Sequence, residues 1–213
     1  MPGSMEQALG NEIGESCCIG EISIHRTPTG GFVLCHRDDD GKVVAQVLRG
    51  TEPAAELAKY DDSGNYRPLK TAPTLRHGWR LKIADIRELR RVLDYFYPGR
   101  LAILSAWKQN RLATTPLRET LDRQSGMYRV AAKISDAQID EVVGNFCRSD
   151  GGCLRTILWR RDPGGTIAST QLPSQKFDPS HDQTGHGQRT VALLCQEPCH
   201  LLVNECRKAV KGE

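Results

Sequence analysis

The sequence contains no long apolar run. Nothing in it approaches the ~18 uninterrupted apolar residues that a membrane-crossing helix needs, so a helical membrane protein is excluded. The N-terminus has no basic segment followed by an apolar stretch, so no secretory signal is expected. Aromatic residues are scarce, at 6%, which leaves little for the base stacking that single-stranded nucleic-acid binders use. The chain also lacks a Ser/His/Asp arrangement, a phosphate-binding loop, a dinucleotide fingerprint and an internal repeat. An enzyme is therefore not the expected reading of this chain alone. Cysteine, by contrast, is plentiful, with eight residues. Without a signal peptide these point to a reducing, cytoplasmic compartment, where clustered cysteines are metal ligands more often than disulfides.

The 213 residues suffice for one large domain or two small ones, and a composition of 38% hydrophobic and 26% charged residues is ordinary for a soluble protein. Met1 to Ser4 read as a cloning remnant, with Met5 the expected native start. The net charge of +3 hides a strong asymmetry. Residues 1–66 hold 5 basic against 11 acidic residues, residues 67–133 hold 15 against 5, and residues 134–213 hold 9 against 10. The basic middle could attract an anionic partner.

Periodicity and turn chemistry predict an α+β chain. Residues 1–19 read as a flexible arm, with Cys17 and Cys18 as exposed thiols. Residues 20–48 read as a β-meander: Gly20 to His25, a turn at Thr29-Gly30-Gly31, Phe32 to His36, a hairpin at Asp39-Asp40-Gly41, then Lys42 to Leu48. Cys35 alternates with Val33 and reads as a small buried apolar residue. Helices are expected over Pro53 to Lys59, Ala84 to Tyr97 and Arg100 to Asn110, with a strand at Trp79 to Ile83. Further on, Pro116 to Arg123 reads as helix and Met127 to Lys133 as strand. Ser135 with Gln138 forms a capping box, opening a helix that ends at Cys147. Leu154 to Arg160 and Thr190 to Leu194 read as strands, and Pro198 to Val210 as a helix. Between them, 162–189 is a long polar loop whose His181 and His186 read as solvated.

The cysteines of chemical interest are Cys147 and Cys153, spaced C-x5-C, and Cys195 and Cys199, spaced C-x3-C, with 41 residues between the pairs. They are expected to converge on one metal centre. Soft thiolates suit iron clusters, and four of them must reach one point. Gly151 and Gly152 permit positive φ, so the backbone can curl around a bulky anion and present N–H groups to sulfur. With Pro198 as the first residue of the last helix, the positive end of that helix would face the centre. Zinc is the rival: C-x3-C fits a zinc knuckle, whereas C-x5-C fits poorly. Iron–sulfur, zinc and no metal thus stay open, in that order. A radical S-adenosylmethionine motif is excluded, because Leu202 stands where its third cysteine belongs. Cys206 lies too far along a helix from Cys199 to share a compact centre and is assigned to the core. His200 would point ~100° away from Cys199 on a helix and is not counted as a ligand.

Several segments resemble bacterial CbiX-type sirohydrochlorin cobaltochelatase-like proteins that carry an extra iron–sulfur module. They are Tyr66 to Arg80 (YRPLKTAP with RHGWR), Phe96 to Pro98, Pro116 to Arg129, Cys147 to Trp159 (CRSDGGCLRTILW) and Cys195 to Val203 (CQEPCHLLV). The resemblance covers most of residues 20–210 and is to the C-terminal half of such proteins. It implies a stabilising α+β domain, 20–125, followed by a small α/β domain, 126–213, that binds a 4Fe-4S cluster through Cys147, Cys153, Cys195 and Cys199. The chelatase half, with its paired histidines, would lie before residue 20, so chelatase activity does not transfer to this chain.

The functional expectation is a 4Fe-4S redox, electron-transfer or sensing module tied to the metal chemistry of tetrapyrroles such as cobalamin or sirohaem. The alternative is a structural zinc module with a basic surface for nucleic acid or another anion. Arg67, Lys70, Arg76, Arg80, Lys82, Arg87, Arg90 and Arg91 could face an anionic tetrapyrrole, a chelatase or redox partner protein, or simply balance the acidic N-terminal part. Nucleic acid is the weakest of these, and no membrane is expected.

Overall fold

A computed structural model describes residues 5–149, 151–167 and 189–213. Its helices are α1 (Met5–Ile13), α2 (Glu52–Lys59), α3 (Ile86–Phe96), α4 (Arg100–Lys108), α5 (Leu117–Asp122), α6 (Asp136–Cys147) and α7 (His200–Lys211). Its strands are β1 (Ser16–Ile19), β2 (Ile22–Arg26), β3 (Phe32–His36), β4 (Gln46–Arg49), β5 (Trp79–Ile83), β6 (Thr156–Ile157), β7 (Arg189–Val191) and β8 (Leu194–Cys195). This is an α+β fold, as expected. The described residues divide into two compact units, one from 5–109 and 189–193, the other from 110–167 and 194–213.

The first unit is built on a six-stranded mixed sheet in the order β4-β5-β3-β2-β1-β7. The central pairs are antiparallel, while β4 joins β5 and β7 joins β1 in parallel. Alternation fixes the register. On β5, Trp79, Leu81 and Ile83 are buried while Lys82 is exposed, and Ile24, Leu34 and Leu81 stand side by side across three strands. Asp85 then caps α3 by accepting from the N–H groups of Arg87 and Glu88. The α3 stripe of Leu89, Val92, Leu93 and Phe96 is buried, and Phe96 stacks on Trp79 with centroids 5.5 Å apart.

Between α2 and β5 the chain has no regular structure beyond isolated bridges, and a buried ion pair holds it. Arg67 is 3% and Glu21 4% exposed. The guanidinium donates to Lys70 O, Ala72 O and Thr74 Oγ1 at 3.0–3.1 Å and reaches Glu21 Oε2 at 3.5 Å. Glu21 also accepts from the Leu75 N–H at 3.1 Å. Its own N–H donates to the buried Tyr97 hydroxyl at 2.8 Å. Gly20 sits at the turn between β1 and β2 with φ +56°, and a Cβ there would lie 2.5 Å from Tyr97 Oη; only glycine fits.

The second unit packs α7 against α6 and against a 3-10 segment, Gly126–Lys133. Leu117, Leu121, Ile139, Val143, Leu202 and Cys206 are central to its core. The Ser135 capping box forms as read: its hydroxyl accepts from Gln138 N–H, and Gln138 Oε1 accepts from Ser135 N–H.

Several expectations are corrected. Residues 5–19 are no arm: they form α1, which buries Leu9 and Ile13, and β1, which lies inside the sheet between β2 and β7. Cys17 and Cys18 are therefore buried, at 0% and 8% exposure, and burial lifts the Cys17 thiol to about 12. The meander is also broken. Asp40 accepts from Ser23 Oγ at 2.6 Å and meets His25 Nε2 at 2.9 Å, while Asp39 accepts from Gly78 N–H at 2.7 Å. These carboxylates draw the turn toward β2 and the start of β5. β5 takes the place beside β3, and the third strand, shortened to β4, pairs with β5 instead. Met127 to Lys133 is a 3-10 segment, with only Ala131 buried and Met127 68% exposed; a half-buried strand would have buried alternate residues. The division into units falls at residue 109 rather than 125, because Leu117 and Leu121 belong to the second core. Cys35 is buried, as read.

Candidate metal centre

Cys147 is the last residue of α6, and Cys153 follows a tight reversal in which Gly152 N–H donates to Ser149 O and Cys153 N–H to Cys147 O. Gly152 works differently from the expectation. It does not take positive φ; instead a Cβ on it would stand 2.9 Å from Ser149 O and 3.0 Å from Phe146 O. The loop needs close backbone approach, not a left-handed residue.

The second pair arrives on β8. Cys195 stands beside Ile157 in the parallel β6–β8 ladder, and Leu158 N–H donates to its carbonyl at 3.0 Å. This ladder brings two segments 38 residues apart into register. Cys199 is the N-cap of α7, its carbonyl accepting from Val203 N–H at 3.1 Å, so the helix begins at His200 and not at Pro198. The thiol of Cys199 consequently sits at the positive end of a 12-residue helix.

All four cysteines line one pocket, together with Arg155, Ile157, Trp159, Pro198 and Leu202. None of the eight cysteines is in a disulfide. Two cavity residues that the sequence reading missed contact sulfur directly. Arg155 Nε donates to Cys153 Sγ at 3.1 Å, and Trp159 Nε1 to Cys195 Sγ at 3.3 Å. Burial, followed by the neighbouring Cys153, Cys199 and Cys195, raises the pKa of Cys147. Burial likewise raises Cys195, opposed by Arg155 and the Trp159 N–H. On Arg155 itself burial acts to lower the pKa, but the three sulfurs of Cys195, Cys153 and Cys199 outweigh it and the guanidinium is held charged.

These residues fit a 4Fe-4S cluster. The donor set is four soft sulfurs, a set that carries negative charge when ligating, in a largely apolar pocket with one cation and one indole N–H aimed at it. Arg148, beside Cys147, has a buried Nη1 without a protein partner, a further positive group next to the thiols.

Cys206 lies in the core at 0% exposure, as assigned, and His200 is exposed. His181, His186 and most of the 162–189 loop lie outside the described residues. The basic middle is partly used within the first unit. Arg67 pairs with Glu21, Arg90 Nη1 meets Glu6 at 2.6 Å, and Lys70 and Arg80 donate to the Ala58 and Lys42 carbonyls. Lys82, Arg87 and Arg91 are exposed. Among the described residues, no helix is long and apolar enough to cross a membrane.

Comparison with known proteins agrees with this geometry. Residues 109–208 match the family model of a 4Fe-4S iron-sulfur cluster binding domain, and residues 6–111 match that of the DR2241 stabilising domain. No curated protein matches the chain. Among solved structures it is similar to DR2241 from Deinococcus radiodurans, with TM-score 0.76 and 28% identity over 98% of this chain and 41% of that one. That protein is described as multi-domain, with structural similarity to chelatases and two additional novel domains. The present chain thus spans less than half the length of this relative. The cofactor of residues 109–208 is a 4Fe-4S cluster, and the zinc alternative falls away.

Proposed function

We propose that Cys147, Cys153, Cys195 and Cys199 are the four ligands of the cluster, and that the cluster is a redox or sensing centre serving the metal chemistry of a tetrapyrrole. One observation carries the ligand assignment: thiols from α6, the Gly152 loop, β8 and the α7 N-cap line a single cavity. The Arg155 and Trp159 bonds to sulfur support a redox role, since such donors set cluster potential. The tetrapyrrole link rests on the CbiX-type resemblance and on the described likeness of DR2241 to chelatases. By that likeness, the chain corresponds to the C-terminal half of a cobaltochelatase-like protein. It supplies the cluster and a scaffold, and the chelation itself belongs to a partner or a further domain. The exposed Lys82, Arg87 and Arg91 suit an anionic tetrapyrrole or an acidic partner protein. Eight cysteines outside disulfides suit the reducing cytoplasm.

Anaerobic purification tests the assignment. The expected product is brown, absorbs broadly near ~400 nm, bleaches on reduction, and holds about four iron and four sulfide per chain. Cys147→Ser and Cys199→Ser should each lose most of the iron. A colourless protein carrying zinc, or variants that retain full iron, would overturn the ligand set. Iron that cycles between two states without changing the binding of a carboxylate-rich tetrapyrrole or of a chelatase would remove the tetrapyrrole link alone.

A further inference from the structure

In the sheet unit, β3 runs out beside β5 running in, so the end of β3 and the approach to β5 meet at one end of the sheet. His36 closes β3, Asp39 lies in the 3-10 turn that follows it, and His77 stands just before β5. The two imidazoles are in contact, with centroids 3.7 Å apart and planes at 48°. His77 Nδ1 is 3.7 Å from Asp39 Oδ1. Ligand atoms of all three residues lie within 4.8 Å of one another.

We infer that His36, Asp39 and His77 form a second metal site, for a divalent first-row transition ion of the zinc class. The donor set is two imidazoles and one carboxylate, which suits such an ion and differs from the soft thiolates of the cluster cavity.

The surroundings supply what a metal site needs beyond its ligands. Each histidine has a carboxylate near its second nitrogen: Glu21 Oε1 lies 3.4 Å from His36 Nε2, and Asp62 Oδ2 lies 3.9 Å from His77 Nε2. The Glu21 contact is placed to fix the tautomer of His36 and raise its basicity, while Asp62, beyond hydrogen-bond reach, adds negative charge near His77. With Nε2 turned to Glu21, Nδ1 of His36 is the atom for the ion. It now accepts from Asp38 N–H at 3.2 Å and would exchange that bond for the metal. Asp39 is oriented by the Gly78 N–H on its other oxygen, at 2.7 Å. Asp38, with its side chain 60% exposed, adds negative charge beside His36. The network also gives a reason for a histidine 2% exposed to be packed against another at a tilt: two imidazoles in contact gain from an ion that both can ligate.

Bonds of ~2.0–2.1 Å to a tetrahedral ion bring ligand atoms to about 3.4 Å apart. The present spacing is therefore an open form. His77, with its side chain 44% exposed, is the residue able to move in. Three protein ligands leave one position for water or an exchanging ligand.

The experiment is calorimetric titration of the cluster-loaded full chain with Zn2+, followed by X-ray absorption at the zinc edge. The expected result is about one equivalent bound, through a nitrogen and oxygen shell at ~2.0–2.1 Å. Affinity should fall at least about tenfold in His77→Ala and in Asp39→Asn. Both changes leave the buried His36–Glu21 contact in place, and asparagine can still accept from Gly78, so neither removes a fold-bearing group. Absence of uptake, an affinity unchanged in both variants, or a sulfur shell at ~2.3 Å would overturn the inference. The site does not depend on the cluster assignment: zinc held by the four cysteines would show the sulfur shell and be indifferent to His77.

Discussion

Trp159 gives its indole N–H to Cys195 Sγ at 3.3 Å, from a position only 4% exposed. A donor to sulfur favours the more negative, reduced state of a cluster, so removing it makes reduction harder. Trp159→Phe keeps most of the bulk and is expected to lower the midpoint potential by tens of millivolts, read by redox titration with iron content unchanged. A potential equal to the parent's would show that the bond does not tune the cluster. At this scale the cysteines were legible, because sulfur has few uses in a reducing compartment and the C-x5-C and C-x3-C spacings are compact. Trp159 and Arg155 were not. Their contact with sulfur depends on how β6 lies against β8, and a 41-residue gap between the cysteine pairs carries no register. His36, Asp39 and His77 were equally hidden: two neighbours across strands, separated by a loop, share no local motif.

The reversal from α6 into Cys153 is an element built around one missing side chain. A methyl on Gly152 would meet the backbone oxygens of Ser149 and Phe146, at 2.9 and 3.0 Å, and neither can swing away as a side chain could. Gly152→Ala should therefore cost roughly 1–3 kcal/mol. It should lower iron occupancy and the melting temperature of the cluster-loaded protein together. Full occupancy at an unchanged melting temperature would mean that the loop relaxes freely. Elements set by local chemistry were readable: the Ser135 capping box, the α3 stripe and β5 all stand where pattern and caps put them. Elements set by partners were not. Residues 126–133 bond locally and lie along α7, β4 needs β5 as its neighbour, and the Cys17-Cys18 strand becomes visible only once β2 and β7 flank it.

For the whole molecule, the buried Arg67–Glu21 pair joins the irregular 67–75 segment to the first sheet strands. Arg67→Met would leave Glu21 buried and uncompensated, so a loss of about 3–5 kcal/mol is expected in denaturant unfolding. The Glu21→Gln, Arg67→Met double variant should recover part of it. A single variant within about 1 kcal/mol of the parent would show that water reaches the carboxylate. The α+β class could be read from the alternation of strand and helix patterns, but the route of the chain could not. β1 takes its parallel partner β7 from the far end of the sequence, with Ile19 beside Val191. On the ribosome this delays completion: at roughly 5–20 residues per second, ten to thirty seconds separate the appearance of β1 from that of β7. Throughout that interval the nascent chain carries a bare backbone edge, open to any passing strand. Expression yield should accordingly depend on chaperone supply and on translation speed.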